Sequence, residues 1–172
     1  IECLKIFHHT ADYITINISS PNTEDLRNFH EQTKLNELLQ TINKEKKNLN
    51  SKVPIAVKVS PDIDDQEVNK ITEVLLSNDI EVVIISNTSD SSRDSLNNIQ
   101  KHQKGGLSGK PIEEKSNRLI AKFYNLLKWK PQIIVVVVVD SGNSAYEIFE
   151  SVSKYVQLYT VMFFHCPNIS NI

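Results

Sequence analysis

Asn17, Ser19, Ser20, Asn22 and Thr23 crowd into one short stretch directly after the apolar run Tyr13–Ile18. Pro21 and Asn22 turn the chain there. Amides and hydroxyls gathered at a strand exit suit a planar, polar heterocycle, because each amide offers both a donor and an acceptor. They suit a metal or a phosphate poorly. The same residue types also cap helices, so on these residues alone a binding loop and a plain strand-to-helix connection stay equally open. Three other places carry chemistry. Lys58 ends the apolar run after Pro54, and Ser86-Asn87-Thr88 ends another. Gly105-Gly106-Leu107-Ser108-Gly109 leads to Pro111, and free backbone N–H groups at such a turn can face a phosphate.

These groups need elements to hold them. Tyr13–Ile18 reads as a first strand, followed by a helix near Thr33–Asn48 with Leu35, Leu38, Leu39 and Ile42 on one face. Ile55–Val59 is a second strand. Its helix starts near Asp64, with Glu67 as the capping partner, and buries Val68, Ile71 and Leu75. Val82–Ile85 is a third strand, and a long polar loop, Asn87 to Lys104, separates it from the next helix. Pro111 suits the first turn of that helix, and Leu119, Ile120, Phe123 and Leu127 form its apolar face. Ile133–Val139 is a fourth strand. Ser144 and Glu147 cap a helix that buries Ala145, Ile148, Phe149 and Val152, and Val156–Tyr159 is a fifth strand. Near-continuous apolar strands alternating with amphipathic helices predict a parallel sheet covered by helices. An open doubly wound sheet and a (β/α)8 barrel share this pattern.

Composition narrows the function classes. The 172 residues suit one domain. A net charge of -2 argues against a nucleic-acid surface. Cys3 and Cys166 are too far apart for a redox or metal motif. The 5 histidines form no ligand pattern; His8-His9 reads as helix surface, and His165-Cys166 alone carries no motif. No signal peptide and no membrane-length apolar run is apparent. The chain opens on Ile1 rather than Met, as a fragment would.

The stretch Asn17-Ile18-Ser19-Ser20-Pro21-Asn22-Thr23 resembles the catalytic loop of the dihydroorotate dehydrogenase family. Four more blocks resemble that family in the same order and at similar spacing. They are Val53-Pro54-Ile55-Ala56-Val57-Lys58-Val59-Ser60-Pro61-Asp62, Ser86-Asn87-Thr88, Gly105-Gly106-Leu107-Ser108-Gly109-Lys110-Pro111 and Val156-Gln157-Leu158-Tyr159-Thr160. The likeness runs over nearly the whole chain but matches only the later part of the family's sequence. Ser20 stands at the base position instead of Cys, which resembles the quinone-dependent, membrane-associated class. The resemblance implies a single domain over residues 1–172 that forms part of a (β/α)8 barrel, its fourth to eighth strands, with Ile1–Thr10 as the tail of the preceding helix. An arc of this kind cannot close and leaves unpaired edges.

In that family a base takes a proton from one carbon of dihydroorotate and FMN accepts a hydride from its neighbour. The resemblance makes Ser20 the base. A serine hydroxyl is a poor base at neutral pH and needs a relay through water or a neighbouring hydroxyl. It makes Asn17, Asn22, Asn87 and Thr88 the substrate contacts. FMN would meet Asn17, Lys58, Ser86, Gly109, Val138, Tyr159 and Thr160. A fixed cation at Lys58 would stabilise negative charge on the reduced flavin; the competing reading is a strand-end lysine paired to Asp62.

The sequence departs from the family at the phosphate end. Val135-Val136-Val137-Val138 replaces a glycine-rich strand, Val161 replaces a glycine, and His165-Cys166-Pro167 replaces Lys-Gly-Pro. Glycine permits close approach and positive φ, which valine disfavours. Together these changes predict a blocked or reshaped phosphate site. The uncharged run Ile133–Val139 is also an aggregation hazard in an unclosed barrel. The expected lineage is therefore dihydroorotate:quinone oxidoreduction in pyrimidine biosynthesis, with this chain alone inactive. The alternatives are a non-catalytic remnant serving as an assembly module, or one half of a split barrel that needs an N-terminal partner chain. Expected partners are dihydroorotate or orotate and, for the complete enzyme, a quinone, with no nucleic acid and no metal. The complete enzyme would sit peripherally on the cytoplasmic side of the inner membrane, and this chain, lacking the membrane-associating part, in the cytoplasm.

Overall fold

Near-continuous burial along the central strands and period-3.6 burial on the helices build one parallel sheet with its helices on one side. The computed structural model describes residues 1–20, 23, 26–91, 93–94, 96–128, 130–136, 146 and 152–165. A short helix α1 (Glu2–Phe7) precedes β1 (Ile14–Asn17). A 3-10 turn (Leu26–His30) leads into α2 (Gln32–Asn48), and β2 (Ile55–Val59), α3 (Asp65–Ser77) and β3 (Val82–Ile85) follow. Another 3-10 turn (Lys110–Ile112) runs into α4 (Glu113–Leu127), then β4 (Gln132–Val136), β5 (Tyr155–Gln157) and α5 (Thr160–His165).

The strands pair in chain order, β1-β2-β3-β4-β5, every pair parallel. A doubly wound sheet would reverse its order at a switch point; this one does not, so it is an arc of a barrel. Ile55, Val57, Val59, Val83, Ile85, Ile133 and Val135 share the main core with Leu35, Leu39, Ile71, Leu75 and Phe123 of the helices. Ala56, Ile84, Ile134 and Val136 alternate with them and form a smaller cluster on the inner face. Beyond their pairing with β2 and β4, the outer edges of β1 and β5 have no strand partner among the described residues. Gln157 Nε2 donates to Tyr13 Oη at 3.1 Å, joining the ends of the two edge strands across that inner face.

The helix faces and the capping box match expectation. Glu67 N donates to Asp64 Oδ1 at 2.8 Å, and Asp64 N donates to Glu67 Oε2 at 2.8 Å. Pro111 sits in the opening turn before α4. The fifth strand differs. It spans Tyr155–Gln157 rather than Val156–Tyr159, because Tyr155 is already in register with Ile134 and Ser153 Oγ accepts from Tyr155 N. Tyr159 lies past the strand, 68% exposed, and Thr160 opens a helix. β1 stops one residue short of the Tyr13–Ile18 run at each end. Val137–Val139, and the Ser144 cap with Ala145, Glu147, Ile148 and Phe149, lie outside the described residues; Val152 is partly buried against the core.

Candidate active site

Parallel strands deliver their following loops to one end of the sheet, and the polar residues collect there. Asn17 closes β1 and stands in register with Lys58 of β2. Its Oδ1 accepts from Ser19 N at 3.2 Å, from Ser19 Oγ at 3.0 Å and from Asn87 Nδ2 at 3.5 Å. Asn87 Nδ2 also donates to Ser19 Oγ at 3.0 Å, and Asn87 Oδ1 accepts from Thr88 N at 2.8 Å. Asn17, Asn87 and Thr88, far apart in the chain, thus form one polar floor. Among the described residues nothing bonds Asn17 Nδ2. Ser19 was not expected to matter, yet it is fully buried and holds the two amides together. Its position between two amide-bearing loops was the one signal, and nothing in a single sequence pairs residues 19 and 87.

Ser20 is half-buried, and Thr23 Oγ1 donates to its Oγ at 3.2 Å. The neighbouring hydroxyl that a serine base needs is therefore in place. Asn22 lies outside the described residues, as does Val138.

Lys58 is half-buried and has no ion-pair partner among the described residues. Asp62 does not pair with it; Lys115 and Arg27 occupy that carboxylate at 2.5 Å and 3.2 Å. Burial holds the Lys58 ammonium below its ordinary pKa of 10.5. The unfolded chain thus binds this proton more tightly than the folded one. Folding carries the penalty at neutral pH and loses it as pH rises toward 10.5. Lys58→Met is accordingly expected to raise stability at pH 7, by less than a fully buried lysine would give because solvent screens the half-exposed ammonium. The gain over the parent should shrink by pH 10.5, as measured by urea unfolding at the two pH values.

Ser86 is fully buried; its Oγ donates to Asn87 O at 3.2 Å and lies 3.4 Å from Ser116 Oγ of α4. Its hydroxyl faces α4 rather than the floor. The glycine loop is pinned by an antiparallel bridge, with Ser89 N donating to Leu107 O at 2.9 Å and Leu107 N to Ser89 O at 2.6 Å. Gly109 has φ +77, a conformation that favours glycine. Ser108 Oγ and Thr160 Oγ1 are 2.7 Å apart, so this loop meets the start of α5. Tyr159 stacks edge-on against Phe163, with ring centroids 5.4 Å apart, and Val161 is buried. A half-buried cation with no counter-ion among the described residues, beside neutral donors and acceptors, fits the ring end of a flavin. Of the expected phosphate end, Val137, Val138, Cys166 and Pro167 lie outside the described residues. Among the described residues no group of three His, Cys, Asp or Glu forms a metal site. No helix there is long and apolar enough to cross a membrane.

Comparison with known proteins covers the same span. The family model described as dihydroorotate dehydrogenase matches residues 1–171. The protein named dihydroorotate dehydrogenase (quinone) of Pasteurella multocida is 40% identical over 172 residues, covering 97% of this chain and 50% of the relative. That of Idiomarina loihiensis is 38% identical, covering 98% and 52%. The crystal structure of DHODH from Eimeria tenella in complex with ferulenol superposes with a TM-score of 0.94 at 27% identity, covering 99% of this chain and 50% of that one. The ligand-free form gives 0.92 at 28% identity. The chain spans about half the length of the relatives it matches.

Proposed function

Because the chain belongs to the dihydroorotate dehydrogenase family, we propose that its polar floor takes the pyrimidine ring of dihydroorotate or orotate, and that it descends from a quinone-dependent enzyme of pyrimidine biosynthesis. The observation that carries this reading is the Asn17–Ser19–Asn87 network beside Lys58, which has no ion-pair partner among the described residues. Asn17, Asn22, Asn87 and Thr88 would hold the ring's amide edges. Ser20 Oγ would take the proton leaving the ring carbon and pass its own hydroxyl proton to Thr23 Oγ1, which reverses the bond it now donates and releases its own proton to solvent. FMN would supply the hydride acceptor. Lys58, Gly109, Val138, Tyr159 and Thr160 would hold it, with Lys58 offsetting the negative charge of the reduced ring, while the Ser86 hydroxyl, turned to Ser116, would not reach it.

The arc by itself should not turn over. Its inner face is open along two strand edges, so water reaches the floor and nothing described covers the reacting ring. The reading is tested by a pair of assays on the purified chain: orotate binding, which it requires, and turnover, which it denies to the arc alone. With dihydroorotate, FMN and a soluble quinone analogue, quinone reduction should match the chain-free control. Reduction that scales with chain concentration would overturn the inactive reading. The open edges of β1 and β5 favour one second reading, a split barrel whose other strands come from a separate chain; an added partner that restores turnover would support it.

A further inference from the structure

The two segments that build the floor, after β1 and after β3, meet again at a second place, the carboxylate of Asp62 in the loop after β2. Its side chain is 14% exposed and accepts four bonds. Lys115 Nζ of α4 and Ser89 Oγ each lie 2.5 Å from Oδ1. Arg27 Nη2 and Asp90 N lie 3.2 Å and 3.0 Å from Oδ2. Arg27 belongs to the 3-10 turn after the Ser20 loop, and its Nη1 donates to Asp90 Oδ1 at 2.6 Å. Lys115 also reaches Ser91 Oγ at 3.3 Å. Two cations and two carboxylates therefore lock the segment after β1, the loop after β2, the loop after β3 and α4 around one acceptor. Charge-assisted bonds of this kind are the strong ones. Among the described residues, Asp62 makes no hydrogen bond to Asn17, Asn87 or Thr88.

We propose that Asp62 is a positioning residue: through Arg27 on one side and Ser89 on the other, it sets the spacing between the loop carrying Ser20 and the loop carrying Asn87 and Thr88. The assignment of a role in the site rests on the function proposed above; the mechanical tie does not. A ring held between Ser20 and the Asn87 amide needs that spacing fixed, and misplacement by about 1 Å costs about a hundredfold in rate. Without the tie, the loops would still be joined by the neutral Asn17–Ser19–Asn87 bonds, which are individually weaker.

The structure supplies its own reporters. On the Ser20 side, Ser19 N is bonded to Asn17 Oδ1, Leu26 N to Thr23 O and Glu31 N to Asn28 O. On the other side, Asn87 N is bonded to Val59 O, and Ser89 N and Leu107 N to one another's carbonyls. The experiment is residue-resolved amide exchange on the full chain without added ligand, comparing the parent with Asp62→Asn, Asp62→Glu and Arg27→Gln. Asp62→Asn should speed exchange at both sets of amides by about tenfold, while core amides of α3 and β3 stay within threefold (about the error of such a comparison). Asp62→Glu, which keeps the charge, should recover most of the protection. Arg27→Gln should loosen Ser89 and Leu107, although it leaves the Ser89 and Lys115 bonds to Asp62 intact; it also carries the test if Asp62→Asn fails to fold. Loosening confined to Ser89 and Leu107 in Asp62→Asn, or no change there in Arg27→Gln, would overturn the proposal. Equal loosening throughout the core, with no recovery in Asp62→Glu, would reduce Asp62 to a general structural residue and overturn it as well. Because no ligand is present, none of these results depends on whether orotate binds.

Discussion

Phe123→Ala is expected to cost about 3–5 kcal/mol. Phe123 is 0% exposed and is the largest fully buried side chain among the described residues. It projects from α4 into the core shared by β2, β3 and β4, where Val59, Ile85 and Val135 are also buried. Removing the ring takes away its transfer free energy and leaves a cavity that a packed sheet cannot collapse around. A domain of this size has a total stability of about 5–15 kcal/mol, so the loss is a large share of it. Urea unfolding followed by circular dichroism checks this, with Leu126→Ala as control, since Leu126 is only partly buried. A loss below about 1 kcal/mol for Phe123 would mean the helix layer is not packed on the sheet as described.

The second large effect is expected at Gly106. A Cβ built there falls 1.8 Å from Thr88 Oγ1 and 2.4 Å from Thr88 Cβ. Neither contact is tolerable, so Thr88 or the glycine loop must move. Overpacking of this kind costs about 1–3 kcal/mol. The Ser89–Leu107 bridge beside it should open, and Thr88 should leave the floor. Gly106→Ala is thus predicted to lose stability and to weaken orotate binding together. Thr88→Gly in the same chain removes the clashing side chain and should recover most of the stability without recovering the binding. If Gly106→Ala is neutral in both readouts, the loop does not pack on Thr88.

Much of this architecture was legible before any coordinates. Leu35, Leu39 and Ile42 on α2, and Leu119, Ile120, Phe123 and Leu127 on α4, follow the helical period and are buried as it demands. The Asp64–Glu67 cap and Pro111 are local signals read at short range, and both are realised. The family resemblance chose the barrel over the doubly wound sheet, which periodicity could not do. What stayed hidden depends on loop paths. The end of β5 depends on its register with Ile134, which no local pattern encodes. Ser19 looked like one more loop hydroxyl until Asn87 was brought to it. Asp62 looked like a partner for Lys58, four residues away, but the partners it takes are Lys115 and Arg27, from more distant segments. Ser86 kept its hydroxyl, yet that hydroxyl faces Ser116 across the sheet–helix layer.

The most direct test is an orotate titration of the isotopically labelled chain, followed by the amide and side-chain NH2 resonances. The account predicts saturable shifts at Asn17, Ser19, Asn87 and Thr88, abolished in Asn87→Ala and with the α3 resonances unmoved. A folded chain whose floor resonances do not respond, or respond no more than those of α3, would contradict the claim that this network is a substrate site.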